Sequence, residues 1–331
     1  MSRNRTPWPA VVVRTVKEFF EDGCMDWAAA LTYYGVLAMF PAAIALASLV
    51  GLVGDPQSTT KTLLDIVDKV GPQSGVDVFR APIESLANSQ SAGLLLVVGL
   101  AGALWSASAY VGAFTRASNS IYEVAEGRPY YKLRPLQVLV TLICLALVAL
   151  VTIALVVTGP IAKAVGEAIG VGSATVSVWD IAKWPVMALL VTTIFSLLYY
   201  AAPNVRQPRF RWFTVGGLVA LVAWIIASAG FAFFVTHFSS YNRTYGSLAA
   251  VIVLLIWLWI SNLAVLFGAE LNKEVERARE IAAGMPGAEE SIQLPPRDTK
   301  KGGPDRPGGP GRPERTEQPA EPRTEVSDSR A

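Results

Sequence analysis

Asn262, Leu266 and Glu270 fall at i, i+4 and i+8 of an otherwise apolar run, so a helix puts an amide and a carboxylate on one ridge. In hydrocarbon the amide turns toward other helices, and an ionisable side chain marks a relay, a gate or an ion-pair clamp. Arg116, Asn119 and Glu123 form a second polar face, at spacings of three and four. Asp26, Tyr33 and Tyr34 stand at the start of another apolar run. The candidate polar cluster at the membrane and its inner face is therefore Asp26, Tyr33, Tyr34, Arg116, Asn119, Asn262 and Glu270. In a transporter these groups would line a cavity open toward the cytoplasm. The opposite charges of Glu270 and Arg116 suit an ion pair, which would serve as a charged gate or as a structural clamp.

Other chemistries find less support. His237 is the single histidine and has no carboxylate or thiol neighbours in sequence for a conventional zinc site. No glycine-rich phosphate loop with its lysine is present. Ser239 and Ser240 lack an acid-base partner of the triad kind. The two cysteines, Cys24 and Cys144, make no disulfide framework. A net charge of +2 does not point to nucleic acid. The expectation is a chain that is not an enzyme, with no catalytic residue, metal or cofactor.

The elements that position the polar groups are set by composition. Hydrophobic residues make up 52% of the chain and charged residues 16%, against about 25% charged in soluble domains. The apolar residues fall in uncharged blocks, each with the roughly 20 residues a helix needs to cross a bilayer. The expected fold is all-α, a polytopic bundle of six transmembrane helices near 28–53, 92–114, 136–158, 184–203, 212–236 and 248–270. Barrel strands are ruled out by the block length and the lack of alternation.

Of the 28 Lys and Arg residues, 22 lie in the two terminal segments and the second and fourth connections. The other 6 lie in the intervening connections. The positive-inside rule then makes both termini cytoplasmic.

Residues 1–26 read as a cytoplasmic amphipathic segment along the inner leaflet, with Val12, Val16, Phe19 and Phe20 on one side and Arg14, Lys17, Glu18 and Glu21 on the other. No cleavable signal is expected there. The membrane domain is 27–272, with a kink predicted at Pro41, an external loop at 55–88 holding two short helices, and a short external helix at 161–169. Pro185 is expected near the start of the fourth span. Gly216 to Ala220 and the small residues from Gly99 to Gly112 permit close helix approach. Residues 273–331 form a cytoplasmic tail, expected to be disordered from about 284 because Pro, Gly, Glu and Arg dominate it.

Four strings carry a resemblance: AAALTYYGVLAMFP at 28–41, LWSASAYVGAFTRASNSIYEV at 104–124, LLYYAAPNVR at 197–206 and TYGSLAAVIVLLIWLWISNLAVLFGAELNKE at 244–274. Together they resemble the YihY/BrkB family of bacterial inner-membrane proteins, historically labelled ribonuclease BN, over roughly residues 10–280. The resemblance implies a six-span protein of the bacterial plasma membrane with a transport-like role. One class of function is a transporter or lipid-handling protein, acting on a small solute or a lipid. The other is a non-catalytic scaffold of the cell envelope, partnered by a second copy or another envelope protein. Membrane lipids are partners in both. Hydrolysis of RNA would need a clustered His and carboxylate set, which the residues do not supply.

Overall fold

The computed structural model describes residues 6–53, 92–156, 173–237 and 248–299. Seven helices are present among them: α1 (Trp8–Glu21), α2 (Cys24–Val53), α3 (Ala92–Ile121), α4 (Tyr130–Val156), α5 (Ser173–Ala201), α6 (Val215–His237) and α7 (Leu248–Ala282). The external loop expected at 55–88, the segment 161–169, Ser239, Ser240 and the tail from 300 lie outside the described residues.

α1 begins behind Pro7, with Pro9 in the first turn, where a missing N–H costs nothing. It ends at Glu21; two residues on, Gly23 has a φ of +67° that suits a residue without a Cβ, and α2 starts at the next residue. The tight turn folds α1 back on the bundle. Pro41 interrupts no helix, since α2 runs through it to Val53. Pro185 lies well inside α5, which starts at Ser173 and not beside the proline as expected.

Five helices among the described residues are long and apolar enough to cross a membrane, through Val97–Ile121, Tyr130–Leu155, Ile181–Ala201, Val215–Val235 and Val251–Ala282. The expected number is six. α2 is the remaining helix, 30 residues long, but its side chains beyond Met39 lie outside the described residues. The outer surface is that of a lipid-embedded bundle: on α4, Leu139, Leu142, Leu145, Val148, Ile153 and Leu155 are all exposed.

α2 packs along α3, α6 along α7, and α4 bridges α3 and α5, while α7 also touches α1 and α2. α6 and α7 meet at Gly216 and Gly268, where a Cβ on either glycine would collide with the other's carbonyl oxygen. The core sits at the end of the bundle that α1 closes. Phe19, Cys24, Leu31, Phe114, Ile121, Tyr199 and Leu266 belong to it.

The segment after α7 corrects the expectation of disorder from 284. Residues 283–299 turn back onto the bundle, with Ala288 fully buried and Ile292 nearly so. Val205 and Pro296 pair as an antiparallel bridge, and the Arg206 N–H donates to the Pro295 carbonyl at 2.8 Å. Asn204 donates to the Asp298 carbonyl at 2.8 Å. Few apolar residues are needed because backbone hydrogen bonds and arginine contacts hold the segment.

Candidate functional site

Lys273 is one turn beyond Glu270 on α7, and its side chain has no accessible surface. Five carboxylates come within 4 Å of its Nζ: Glu270 at 3.1 Å, Asp22 at 3.3 Å, Glu18 at 3.6 Å, Glu123 at 3.8 Å and Glu274 at 3.9 Å. They come from α1, its terminal turn, the turn after α3, and α7. Two guanidiniums complete the cluster. Arg277 lies 3.4 Å from Glu274 and 3.7 Å from Glu18, and Arg14 lies 3.7 Å from Glu274. With every group ionised, the carboxylates exceed the cations by two.

Holding such charges away from water costs several kcal/mol per ion unless each is paired. Glu270 is the most deeply placed, at 0% exposure, and neither of its oxygens receives a hydrogen bond of good geometry among the described residues. Its contact with Lys273 is an ion pair without a well-aimed N–H. Glu123 reaches the cluster from a left-handed backbone, φ 53°, which costs a residue with a Cβ about 1–2 kcal/mol. At Asp22, burial is the dominant influence and pushes the carboxyl up to about 6, against the pull of Lys273 and with help from Glu18 and Glu123.

Deeper in the bundle, Asn262 joins three helices. Tyr110 on α3 donates to its Oδ1 at 2.7 Å, and its Nδ2 donates to Thr32 on α2 at 3.1 Å. One turn nearer the cluster, the Tyr199 hydroxyl donates to the Val265 carbonyl at 2.7 Å. Asn262 and Glu270 therefore share a buried ridge, as their spacing requires, and that ridge continues through Lys273, Glu274 and Arg277.

The other expected residues go elsewhere. Arg116 is exposed and lies over the Tyr34 ring at 5.5 Å, so the expected pairing with Glu270 is replaced by the pair to Lys273. Tyr33 is 60% exposed and packs edge-on against Tyr34. Asp26 is exposed in the first turn of α2. Asn119 belongs to a separate clasp. Its Nδ2 donates to Glu126 at 2.9 Å, and its Oδ1 accepts from the Asn204 N–H at 2.8 Å. In the same clasp Arg128 pairs with Glu126 at 2.7 Å and donates to the Ala202 carbonyl at the end of α5. At Glu126 burial is outweighed by the hydrogen bonds from Arg128 and Asn119, which hold its carboxyl below the ordinary value.

α1 keeps Val12, Val16 and Phe20 together on an exposed side, as expected, while Phe19 joins Val11 and Thr15 facing the core and Arg14 and Glu18 point to α7. Burying Glu18 and Asp22 near Lys273 decides the orientation, since an unpaired buried ammonium is the larger penalty. Lys273, Glu274, Arg277, Glu18 and Asp22 were missing from the expected set because the loss of apolarity at Glu270 looks like a helix leaving the bilayer. The legible signal was periodic: residues 262, 266, 270, 273 and 277 keep to one face.

The family described as virulence factor BrkB matches residues 15–292. A ribonuclease-like protein of Bacillus subtilis, YfkH, is 32% identical over 254 residues, covering 76% of this chain and 90% of that protein. A UPF0761 membrane protein of Alkalilimnicola ehrlichii is 30% identical over 286 residues, 81% of this chain and 59% of its own length. Another, of Alcanivorax borkumensis, is 29% identical over 295 residues, 86% of this chain and 65% of its own. Against these two relatives the chain spans less than two thirds of their length. No solved structure matches the chain.

Proposed function

The chain belongs to the BrkB family of multi-pass membrane proteins, and from that premise we propose that it is a transport or lipid-handling protein of the bacterial plasma membrane, working through protonation of the cluster around Lys273. The observation that carries this reading is the set of five carboxylates around one buried ammonium. A clamp needs one counter-ion or two. An excess of carboxylates at the end of a buried polar ridge needs protons or other cations to reach neutrality, and ionisable groups at such depth are a hallmark of ion and substrate pathways.

The reading includes six spans, with α2 as the sixth, and both termini in the cytoplasm. The distribution of the 28 basic residues supports that orientation. A cysteine introduced at Ser329 would resist membrane-impermeant labelling from outside intact cells; its labelling would reverse the orientation. The ribonuclease-like name of the Bacillus subtilis relative is not carried over, since the cluster's carboxylates face Lys273, Arg277 and Arg14 instead of standing open for a metal-bound water.

The test is reconstitution in vesicles with an entrapped pH dye and a fluorescent phospholipid. Wild-type protein would move protons or lipid faster than protein-free vesicles, and Glu270→Gln, still folded by circular dichroism and gel filtration, would lose most of that rate. An unchanged rate in the variant removes Glu270 from the mechanism. A scaffold is the second reading, and a particular observation favours it: Asn262 is satisfied by Tyr110 and Thr32, which makes the middle of the bundle a packed joint. Wild-type vesicles that move nothing would leave that reading in place.

A further inference from the structure

Between the end of α5 and the start of α6 the chain makes a loop, and together with α7 and the returning segment it lines a groove of about 90 Å³, open to solvent. Tyr199 and Tyr200 of α5, Arg209 and Arg211 of the loop, Asn272 of α7 and Leu294 of the returning segment line it. The groove is held open by contacts that need no ligand. Phe210 bridges Tyr200 and Trp212, each at 5.3 Å between ring centroids. Asn272 accepts from the Gly216 N–H at 2.9 Å and donates to Thr214, while Gln207 donates to the Tyr199 carbonyl at 2.7 Å. On the far side, Arg297 donates to the Val205 carbonyl and stacks on Tyr200.

Charge in the groove is uneven. Arg279 is matched by Glu276 at 2.6 Å. Arg209 and Arg211 are exposed and have no ion pair or hydrogen bond among the described residues, so two guanidiniums two residues apart in one loop line the opening unmatched. The loop lies between the span that ends at Ala201 and the span that starts at Val215, the boundary of the apolar belt. Trp212 and Phe213 stand exposed beside it, as aromatic residues do at headgroup level.

We infer that this groove binds a phosphate-bearing anion through Arg209 and Arg211; where the phosphate belongs to a lipid, the tyrosines and Leu294 lie against its apolar part. Guanidinium is the side chain best suited to this, since its planar N–H pairs match phosphate oxygens bidentately. The phosphate can come from a lipid headgroup or from a soluble ion. The site does not depend on proton movement through the Lys273 cluster, and a binding measurement at fixed pH with no gradient reads it alone.

The experiment is equilibrium binding to the full chain in maltoside micelles, with radiolabelled dioleoylphosphatidylglycerol and, separately, radiolabelled inorganic phosphate. Wild type is expected to bind saturably, and Arg209→Gln/Arg211→Gln to bind about thirtyfold more weakly. Lys132→Gln, which removes an exposed cation outside the groove, should match wild type. Saturable binding of the lipid alone assigns the site to a headgroup; binding of both probes, each lost in the double variant, assigns it to the phosphate itself. The inference is overturned if wild type binds neither probe, if the double variant binds like wild type, or if Lys132→Gln loses as much.

Discussion

Glu270 and Lys273 sit 3.1 Å apart on one face of α7, and neither side chain has any accessible surface. The ammonium is the hub of the cluster. Lys273→Met keeps most of the packing and leaves five carboxylates facing one another, a loss of about 3–5 kcal/mol for a broken buried ion pair. Thermal unfolding in detergent should show it, with partial recovery in Lys273→Met/Glu270→Gln, where one of the stranded charges is removed. No recovery would mean that Glu270 is not the carboxylate most dependent on the lysine.

The Asp22 carboxyl has a folded-state value of about 6 against an ordinary 3.8. An acid raised in this way keeps its proton in the fold while the open chain has lost it. The fold therefore gains from Asp22 below the lower value and loses that gain as pH rises to about 6. Partial exposure screens the effect to about 1–2 kcal/mol. Asp22→Asn should flatten the fall in stability across that window; an unaltered slope would assign the titration to another group.

Asn262 ties α7 to α2 and α3 through Thr32 and Tyr110. Interhelical side-chain hydrogen bonds in membranes average about 0.6 kcal/mol, so Asn262→Leu should cost about 1–2 kcal/mol for the two. In a double-mutant cycle with Tyr110→Phe the two changes should be less than additive, because they remove the same bond. Simple additivity would show that the bond does not form in the membrane.

Two glycines on α6 give opposite predictions. Gly216→Ala places a methyl against the Gly268 carbonyl and should destabilise by about 1–3 kcal/mol. At Gly230 nothing lies within 4 Å of an added Cβ, so Gly230→Ala should be neutral or gain up to about 1 kcal/mol in helix propensity. Equal melting shifts for both variants would contradict the close crossing.

The Arg277 guanidinium donates to the carbonyls of Ala288, Glu289 and Glu290 at 3.1, 2.8 and 2.7 Å. Arg277→Gln should release residues 285–299 first, which limited proteolysis after Met285 would detect before the bundle itself melts. A chain cut after Met285 should be less stable than one cut after Thr299, through exposure of Val205 and Asn204. Equal stability of the two cuts would make the segment a passive tail.

The sequence by itself determined the membrane class, the helical spans and the ridge that carries Asn262 and Glu270. These follow from block length and from a 3.6-residue period, both local properties of the chain. It did not determine who faces Glu270. Arg116 and Lys273 were both near enough in sequence pattern to serve, and the choice fell to Lys273 because α1 folds back over the end of α7 and delivers Glu18 and Asp22 there. The return of residues 283–299 was equally illegible, since much of its binding energy lies in side-chain hydrogen bonds to a loop far along the chain. Partners of that kind are set by where helices cross, and a crossing is a property of the tertiary structure alone.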